Sequence, residues 1–401
     1  MFRKKYDVIV AGGGIAGAAA ALAAARAGAH VALVEKTVIL GGLAASGLIW
    51  VYLPLCNGMG QQVIAGIAEE FLHLSLKYGP GEISPQWRDA ASGKRYQAAF
   101  SPASLTLALD EVLSEAGVDI WLDTLVCDSV VEKNTLIGME VENKSGRGLL
   151  QCVCAVDATG DADLAFRAGA RCLKGRNWMS IWALHASLEQ AKQAAAKNDG
   201  SILLKGVCVG ASDSGAGHPA GMKTFDGTDG KQVSAFVLTG RRLLRAWFAD
   251  KQRQMPEGRK AVFPLTLPCM PQFRTTRRVC GWQRLRFRDR DRERHDRVAL
   301  IPDWRQPGPI WAVPYGALVP KNIQGLLVAG RCIDTDQKAW NVARVIPCAA
   351  LTGEAAGIAA ALAIKMKTAP AELPPEIVRQ AMKEKGNIVD FAAINATRGD
   401  R

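Results

Sequence analysis

The chain has 401 residues, 49% hydrophobic and 22% charged, which is the composition of a globular protein with a core large enough for two domains or one large elaborated one. Its ten cysteines are scattered, with no CxxC and no pair of metal-ligand spacings, so they read as reduced, mostly buried thiols and give no metal site. The net charge of +12 is uneven: Arg274 to Arg297 carries ten arginines against four acidic residues, half of the whole excess, so overall basicity does not argue for a nucleic-acid-binding chain.

Arg3, Lys4 and Lys5 before an alanine-rich apolar stretch have the outline of a signal peptide. Asp7 and three consecutive glycines interrupt that stretch, however, and it continues into Arg26 and Glu35. No uninterrupted apolar run of about 20 residues occurs, so no membrane span is expected, and the expected location is the cytoplasm.

Tyr6 to Ala11 is a short β-branched run that reads as a buried strand. Gly12-Gly13-Gly14-Ile15-Ala16-Gly17 follows and fits G-x-G-x-x-G. Ile15 to Gly28 is nearly all alanine and predicts a helix ended by glycine; His30 to Glu35 predicts a second apolar strand. Gly12 would allow the tight turn, Gly14 the approach of a pyrophosphate, and Gly17 close packing of helix on strand. A pyrophosphate at Ile15 and Ala16 would meet the free N–H groups and positive end of that helix. Glu35, 18 residues after Gly17, is placed to accept hydrogen bonds from adenosine ribose hydroxyls, and its charge disfavours a 2′-phosphate. This unit alone leaves FAD and NAD open.

Further along, Leu40-Gly41-Gly42-Leu43-Ala44 reads as a turn. Helices are predicted from about Gln62 to Lys77 and from Ser101 to Ala116, and strands over Asp119 to Val126 and Gly138 to Val141. Cys152 to Asp157 is an apolar strand running into Ala158-Thr159-Gly160, with Asp161 and Asp163 behind it. Ser234 to Arg253 is an amphipathic helix, and Pro271 to Arg278 a compact basic stretch. Gly325 to Asp334 pairs an apolar strand with Gly330-Arg331, and an alanine-rich helix begins near Pro347. Gly353 and Gly357 weaken that helix, which implies close packing against something.

These segments, in this order, resemble the glutathione-reductase-type FAD-dependent oxidoreductases, and more narrowly the group known only as FAD-dependent oxidoreductases, over nearly the full length. The resemblance implies an α/β, Rossmann-type FAD/NAD(P)-binding fold with a parallel sheet, a small β layer and an inserted substrate domain. It divides the chain into 1–161 and 311–370 for FAD, 162–310 for the substrate or cap domain, and a C-terminal helix and tail over 371–401. It implies FAD as cofactor, with Lys36, Gly41, Gly42 and Leu43 along the pyrophosphate and flavin, and Val126 on the adenine side. Ala158, Thr159, Gly160 and Asp161 would come close to the cofactor, as would Gly330, Arg331 and Val345 at the start of the late helix. The positive end of that helix would stabilise the anionic reduced flavin.

The implied activity is hydride transfer between a small organic substrate and flavin N5. An NAD-linked dehydrogenase and a non-catalytic flavin- or RNA-binding protein are the alternatives. The electron acceptor is not implied. Arg274, Arg277 and Arg278 would wall the active site and bind an anionic or polyhydroxyl substrate, unless they are a solvated basic face. No Cys-x4-Cys redox pair is present. Arg277, Arg344 and Cys56 are the catalytic candidates, Cys332 has the same standing as Cys56, and His185, His218 and His295 are residues able to act as bases. The resemblance lapses from Trp282 to Leu300. That arginine-rich island is expected of a disordered insert or of a coding frame slip that corrects itself; an RNA-binding insertion also fits its composition.

Overall fold

Runs of four apolar, mostly β-branched residues bounded by polar or glycine turns can bury both faces only in a sheet covered on both sides, and the chain builds such a sheet. The computed structural model describes residues 1–396. Val8–Ala11 (β1) leads through a glycine turn into Ile15–Arg26 (α1) and returns as Val31–Val34 (β2). Asp119–Trp121 (β3), Cys154–Asp157 (β4) and Leu326–Val328 (β5) complete a five-stranded parallel sheet of order β5-β4-β1-β2-β3. The register is level at one end: Ala11 sits opposite both Val34 and Asp157, and Asp157 opposite Val328. Four loops from distant parts of the chain therefore leave the same edge side by side, at the carboxyl ends of the strands, where open α/β sheets bind ligands.

Ile346–Met366 (α2) packs along α1. A Cβ on Gly353 or Gly357 would fall within the carbonyl oxygens of Ala16 and Ala20, so these two glycines let the helices touch backbone to backbone. This is the packing partner that their positions inside the helix implied. By length and composition α2 could cross a bilayer, but 83% of its apolar window is buried inside the protein.

The small β layer is Phe2–Lys5, Gly146–Gln151, Thr135–Asn143 and Leu125–Glu132. The strand expected over Asp119 to Val126 is two elements: Asp123, with φ at 47°, breaks it, and the halves join different sheets. The expected helices are Ile67–Leu76 and Pro102–Glu115; the second is capped by the Ser101 hydroxyl and opened by a proline.

The inserted domain is a three-stranded antiparallel sheet of Gly206–Gly210, Ser180–Ser187 and Val262–Thr266, with Gly230–Arg253 packed on it through Leu244 and Phe248. Its apolar clusters draw on residues between Met179 and Phe273. Val279, Leu285, Val298, Ala299 and Ile301 pack instead in the large core with the parallel sheet.

The arginine-rich island is ordered, contrary to the expected disordered insert. Composition does not show its partners, several of which lie outside it. Arg284 Nε donates to Asp334 at 2.7 Å, and Arg297 pairs with Asp390 and donates to the Val389 carbonyl at 2.8 Å. Arg294 forks onto Asp296 at 2.8 and 2.9 Å. Leu285 is buried, and Phe287 packs its ring 5.3 Å from that of Trp311.

Two buried carboxylates mark this framework. Burial raises Asp157 to about 6 and Glu354 to about 7, although each accepts hydrogen bonds that pull the other way. Glu354 accepts from the Ile67 amide at 3.0 Å and from Asn387 Nδ2 at 2.8 Å, tying α2 to a second helix and to the C-terminal segment. Because its folded pKa lies above the unfolded one, its contribution to stability is complete below the ordinary carboxylate range and is lost as pH rises through about 7. From pH 5 to pH 8 this loss should be on the order of 2–3 kcal/mol. Glu354→Gln should remove that part of the slope, so that the variant gains on the wild type as pH rises; urea midpoints at the two pH values measure it.

Candidate cofactor and substrate site

The four level loops form one cleft. Gly12 turns out of β1 with φ at 97°, a conformation that a side chain disfavours, and its amide donates to the Val34 carbonyl at 2.7 Å. A Cβ on Gly17 would collide with the Gly12 carbonyl, so α1 seats directly on the turn. Gly41 donates to the Gly13 carbonyl at 2.8 Å, and a Cβ on Gly42 would come 2.9 Å from Gly14 Cα. The two glycine-rich loops thus lie backbone against backbone. Gly14 differs from the rest. Its backbone is extended, and the nearest protein atom to a Cβ there is 3.8 Å away, so the protein itself does not require glycine; the side chain would project into a cradle that faces the cleft.

The Glu35 carboxylate is almost fully buried, accepting from the Gly13 amide at 2.8 Å and from the Thr37 amide and hydroxyl at 2.9 Å. This fixes it at the wall of the cleft. On the next loop Asp157 accepts from the Thr159 amide at 3.0 Å, the Thr159 hydroxyl at 2.7 Å and the Ala165 amide at 2.8 Å, which folds Ala158-Thr159-Gly160 across the strand end. The Gly330 amide donates to Thr352 Oγ1 at 3.0 Å and so locks the last loop to α2. Val345 is extended and Pro347 stands in the first turn, so α2 presents its N-terminal end, with free N–H groups and positive dipole, beside Ile346 and Ala349 at the cleft.

A second cavity, a chamber of about 480 Å3, opens between the cleft and the inserted domain. The two share Leu43, Arg331, Arg344 and Ile346. Aliphatic residues Ile49, Val51 and Leu53 and the rings of Trp182 and Trp304 line much of the chamber. Arg274 and Arg344 both approach Asp213; Arg344 forms an ion pair with it, and Arg274 Nε lies 3.9 Å away. Burial lowers Arg344 to about 10 against the opposing pull of Asp213. Its Nε finds no hydrogen-bond partner among the described residues. Arg331 pairs with Asp161 at 3.1 Å and donates to the carbonyls of Gly160 and Phe273.

Of the residues expected around the cofactor, Gly12, Gly14, Ile15, Ala16, Glu35, Lys36, Gly41, Gly42, Leu43, Val126, Ala158, Thr159, Gly160, Gly330 and Arg331 line the cleft. Gly17 sits behind it as a packing glycine, Asp161 is drawn into the Arg331 pair, and Val345 lines the chamber. Arg344 borders both spaces. Two of the three catalytic candidates lie elsewhere. Arg277 pairs with Asp163 at 2.8 Å over the Phe166 ring, and Cys56 is buried with its sulfur accepting from the Tyr96 amide at 3.2 Å.

Arg278 is buried over the Trp340 ring, outside the chamber wall, whereas Arg274 is part of that wall. His185 packs beneath Trp247 and Phe248, His218 accepts from the Met179 amide at 2.9 Å, and His295 is exposed, so none of the three reaches the chamber. Cys332 is buried, accepting from the Ala162 amide at 3.3 Å, and burial pushes its thiol well up. Thr37, Asp157 and Thr352 were not expected as site residues, although Thr37 and Asp157 lie next to motif residues. Gln272 lies within the basic stretch from Pro271 to Arg278 but was not itself expected as a site residue, and Asp213 carries no signal in the sequence.

The chain matches the FAD dependent oxidoreductase family over residues 7–199 and 216–382. A curated relative, digeranylgeranylglycerophospholipid reductase 1 of Methanococcoides burtonii, is 27% identical over 150 residues, 35% of this chain and 34% of the relative. The match therefore spans only about a third of that relative's length. Among solved structures, p-nitrophenol 4-monooxygenase of Pseudomonas putida DLL-E4 superposes with a TM-score of 0.53 at 14% identity, covering 99% of this chain and 92% of that one. A geranylgeranyl bacteriochlorophyll reductase-like protein of Thermoplasma acidophilum gives 0.45 at 13% identity, over 96% and 84%.

The cleft fits the cofactor of this family by its own features: a bare cradle at Gly14, an acid at Glu35 and two helix N-termini on one wall. Gly14→Val should leave the stability of the cofactor-free protein within about 0.5 kcal/mol, since nothing in the protein opposes the side chain. It should weaken FAD binding by about tenfold or more. Gly17→Val should instead lower stability itself, because it must push α1 off the turn. Thermal melts with and without FAD separate the two outcomes.

Proposed function

Because the chain belongs to the FAD-dependent oxidoreductase family, we propose that it oxidises or reduces a small organic molecule held in the chamber beside the cofactor cleft. When bound, FAD supplies the redox chemistry by taking or giving hydride at flavin N5. The observation that carries this reading is the shared wall: Leu43, Arg331, Arg344 and Ile346 line both spaces, so the chamber directly adjoins the cofactor cleft.

Gly12, Gly14 and the start of α1 would hold the pyrophosphate, Glu35 the adenosine ribose, and Gly330 with the start of α2 the flavin end. The chain's remaining work is binding, orientation and exclusion of water. No His, Lys, Tyr or Glu lines the chamber among the described residues, and Asp213, its one carboxylate, is engaged by Arg344. Trp182 and Trp304 close much of the wall against water, and Gln272 bridges the inserted domain to the second glycine-rich loop. Its Oε1 accepts from the Trp182 amide at 2.8 Å, and its Nε2 donates to the Gly47 carbonyl. The ten cysteines, all free, fit a reducing cytoplasmic setting.

The purified protein should show the visible absorption of oxidised flavin. Under anaerobic conditions one class in a panel of alcohols, amines, hydroxy acids and sugars should bleach it. Leu53→Trp, which fills the chamber from a half-buried wall position, should keep the flavin spectrum and slow bleaching by about 10²-fold. Bleaching at the wild-type rate in this variant would place the substrate elsewhere.

A further inference from the structure

We infer that the chamber takes a monocarboxylate with an apolar body of aromatic or branched-chain size, gripped by Arg344 and Arg274, and not a polyhydroxyl compound. The inference rests on the reading of the chamber as the substrate site. Arg331 is satisfied by Asp161 and two carbonyls that lie to one side. Arg274 donates to the carbonyls of Ser212 and Ala211 at 2.8 and 2.9 Å, but among the described residues the one carboxylate paired with it is Asp213, and Arg344 uses the same one. The other cation that faces Asp213, Arg305, has its own partner in Asp303 at 2.9 Å. Two guanidiniums therefore share one carboxylate in a half-buried site, which leaves one positive charge uncompensated and the Arg344 Nε without an acceptor.

A buried charge without a counter-charge is costly, and a ligand that brings one negative charge removes the cost. A carboxylate supplies that single charge and accepts from a guanidinium fork. A phosphate monoester would bring closer to two charges and exceed the excess.

The rest of the wall fixes the body of the ligand. Ile49, Val51 and Leu53 offer aliphatic surface, the Trp182 ring adds apolar area, and the Trp304 indole N–H is spent on the Asn341 carbonyl at 2.8 Å. Of the neutral polar side chains, Gln272 spends its oxygen on the Trp182 amide and its nitrogen on the Gly47 and Trp182 carbonyls. Ser212 is engaged with Ser214, which leaves the Ser180 hydroxyl and the Cys208 thiol as the remaining neutral polar side chains of the wall. A polyhydroxyl molecule would leave several of its hydroxyls unpaired here, each at the desolvation cost of an unmade hydrogen bond. The volume, about 480 Å3, far exceeds that of a bare inorganic anion and lies in the range of small-molecule sites.

The test is calorimetric titration of the FAD-loaded wild type with benzoate, benzamide and glucose, with flavin content read separately by absorbance. Benzoate should bind at least about tenfold tighter than benzamide, and glucose should not bind measurably. Arg344→Gln should weaken benzoate by about 10- to 100-fold and leave benzamide unchanged. Asp213→Asn should tighten benzoate, because it removes the competing internal anion; a purely structural Asp213 would not do this. Equal binding of benzoate and benzamide by flavin-containing wild type, or benzoate affinity that Arg344→Gln does not change, overturns the inference alone. A wild type that cannot hold flavin overturns the reading of the cleft instead.

Discussion

The level carboxyl edge of the parallel sheet is the constraint on which the rest depends. Ala11, Val34, Asp157 and Val328 stand in neighbouring register, so loops separated by up to about three hundred residues leave the sheet at one height. Each loop then meets the same problem, that a side chain would keep its neighbour away. Glycine solves it at Gly12 against Ala158, at Gly42 against Gly14, and at Gly330 against Ala16. The same solution recurs one layer out, where Gly353 and Gly357 bring α2 onto α1 and so place two helix N-termini on one wall. A binding wall made of backbone amides needs no particular side chains, and glycines from four loops line the cofactor cleft, with Glu35 and Asp157 as polar groups that hold its shape.

The chamber follows a different logic. It lies between two separately cored parts of the molecule, and its chemistry is carried by side chains from both: Trp182, Gln272 and Arg274 from the inserted domain or its edge, Leu43 and Arg344 from the cofactor side. A cleft of fixed backbone amides suits a cofactor common to a whole family. A side-chain chamber suits a substrate that differs from one member to the next, since substitution there leaves the sheet and its register intact.

Legibility in the sequence divides along the same line. The fingerprint from Gly12 to Gly17, the acid at Glu35 and the segments at Ala158 and Gly330 could be read because the requirements they meet are local: a turn, a cap, a close approach within a few residues. Gly353 and Gly357 could be read as contact points, although not for which helix. Ion pairs could not be read, because partners such as Arg344 and Asp213, or Arg331 and Asp161, lie more than a hundred residues apart and carry no pattern. This also explains the two misplaced catalytic candidates. Arg277 sits in a basic run, but its partner Asp163 lies across the fold, and Cys56 is held by a backbone amide forty residues on. The arginine-rich island gave the same difficulty in larger form: its composition suggests an unfolded insert until Asp334 and Asp390 are placed beside it.

Glycine turns from opposite ends of the chain would grip one FAD molecule together. Amide hydrogen exchange, followed with and without FAD, addresses it most directly. A single titration should slow exchange in both the 12–17 turn and the 329–349 segment, with the same dependence on FAD concentration. Protection confined to residues 12–44, with the later segment exchanging as in the cofactor-free protein, would contradict it.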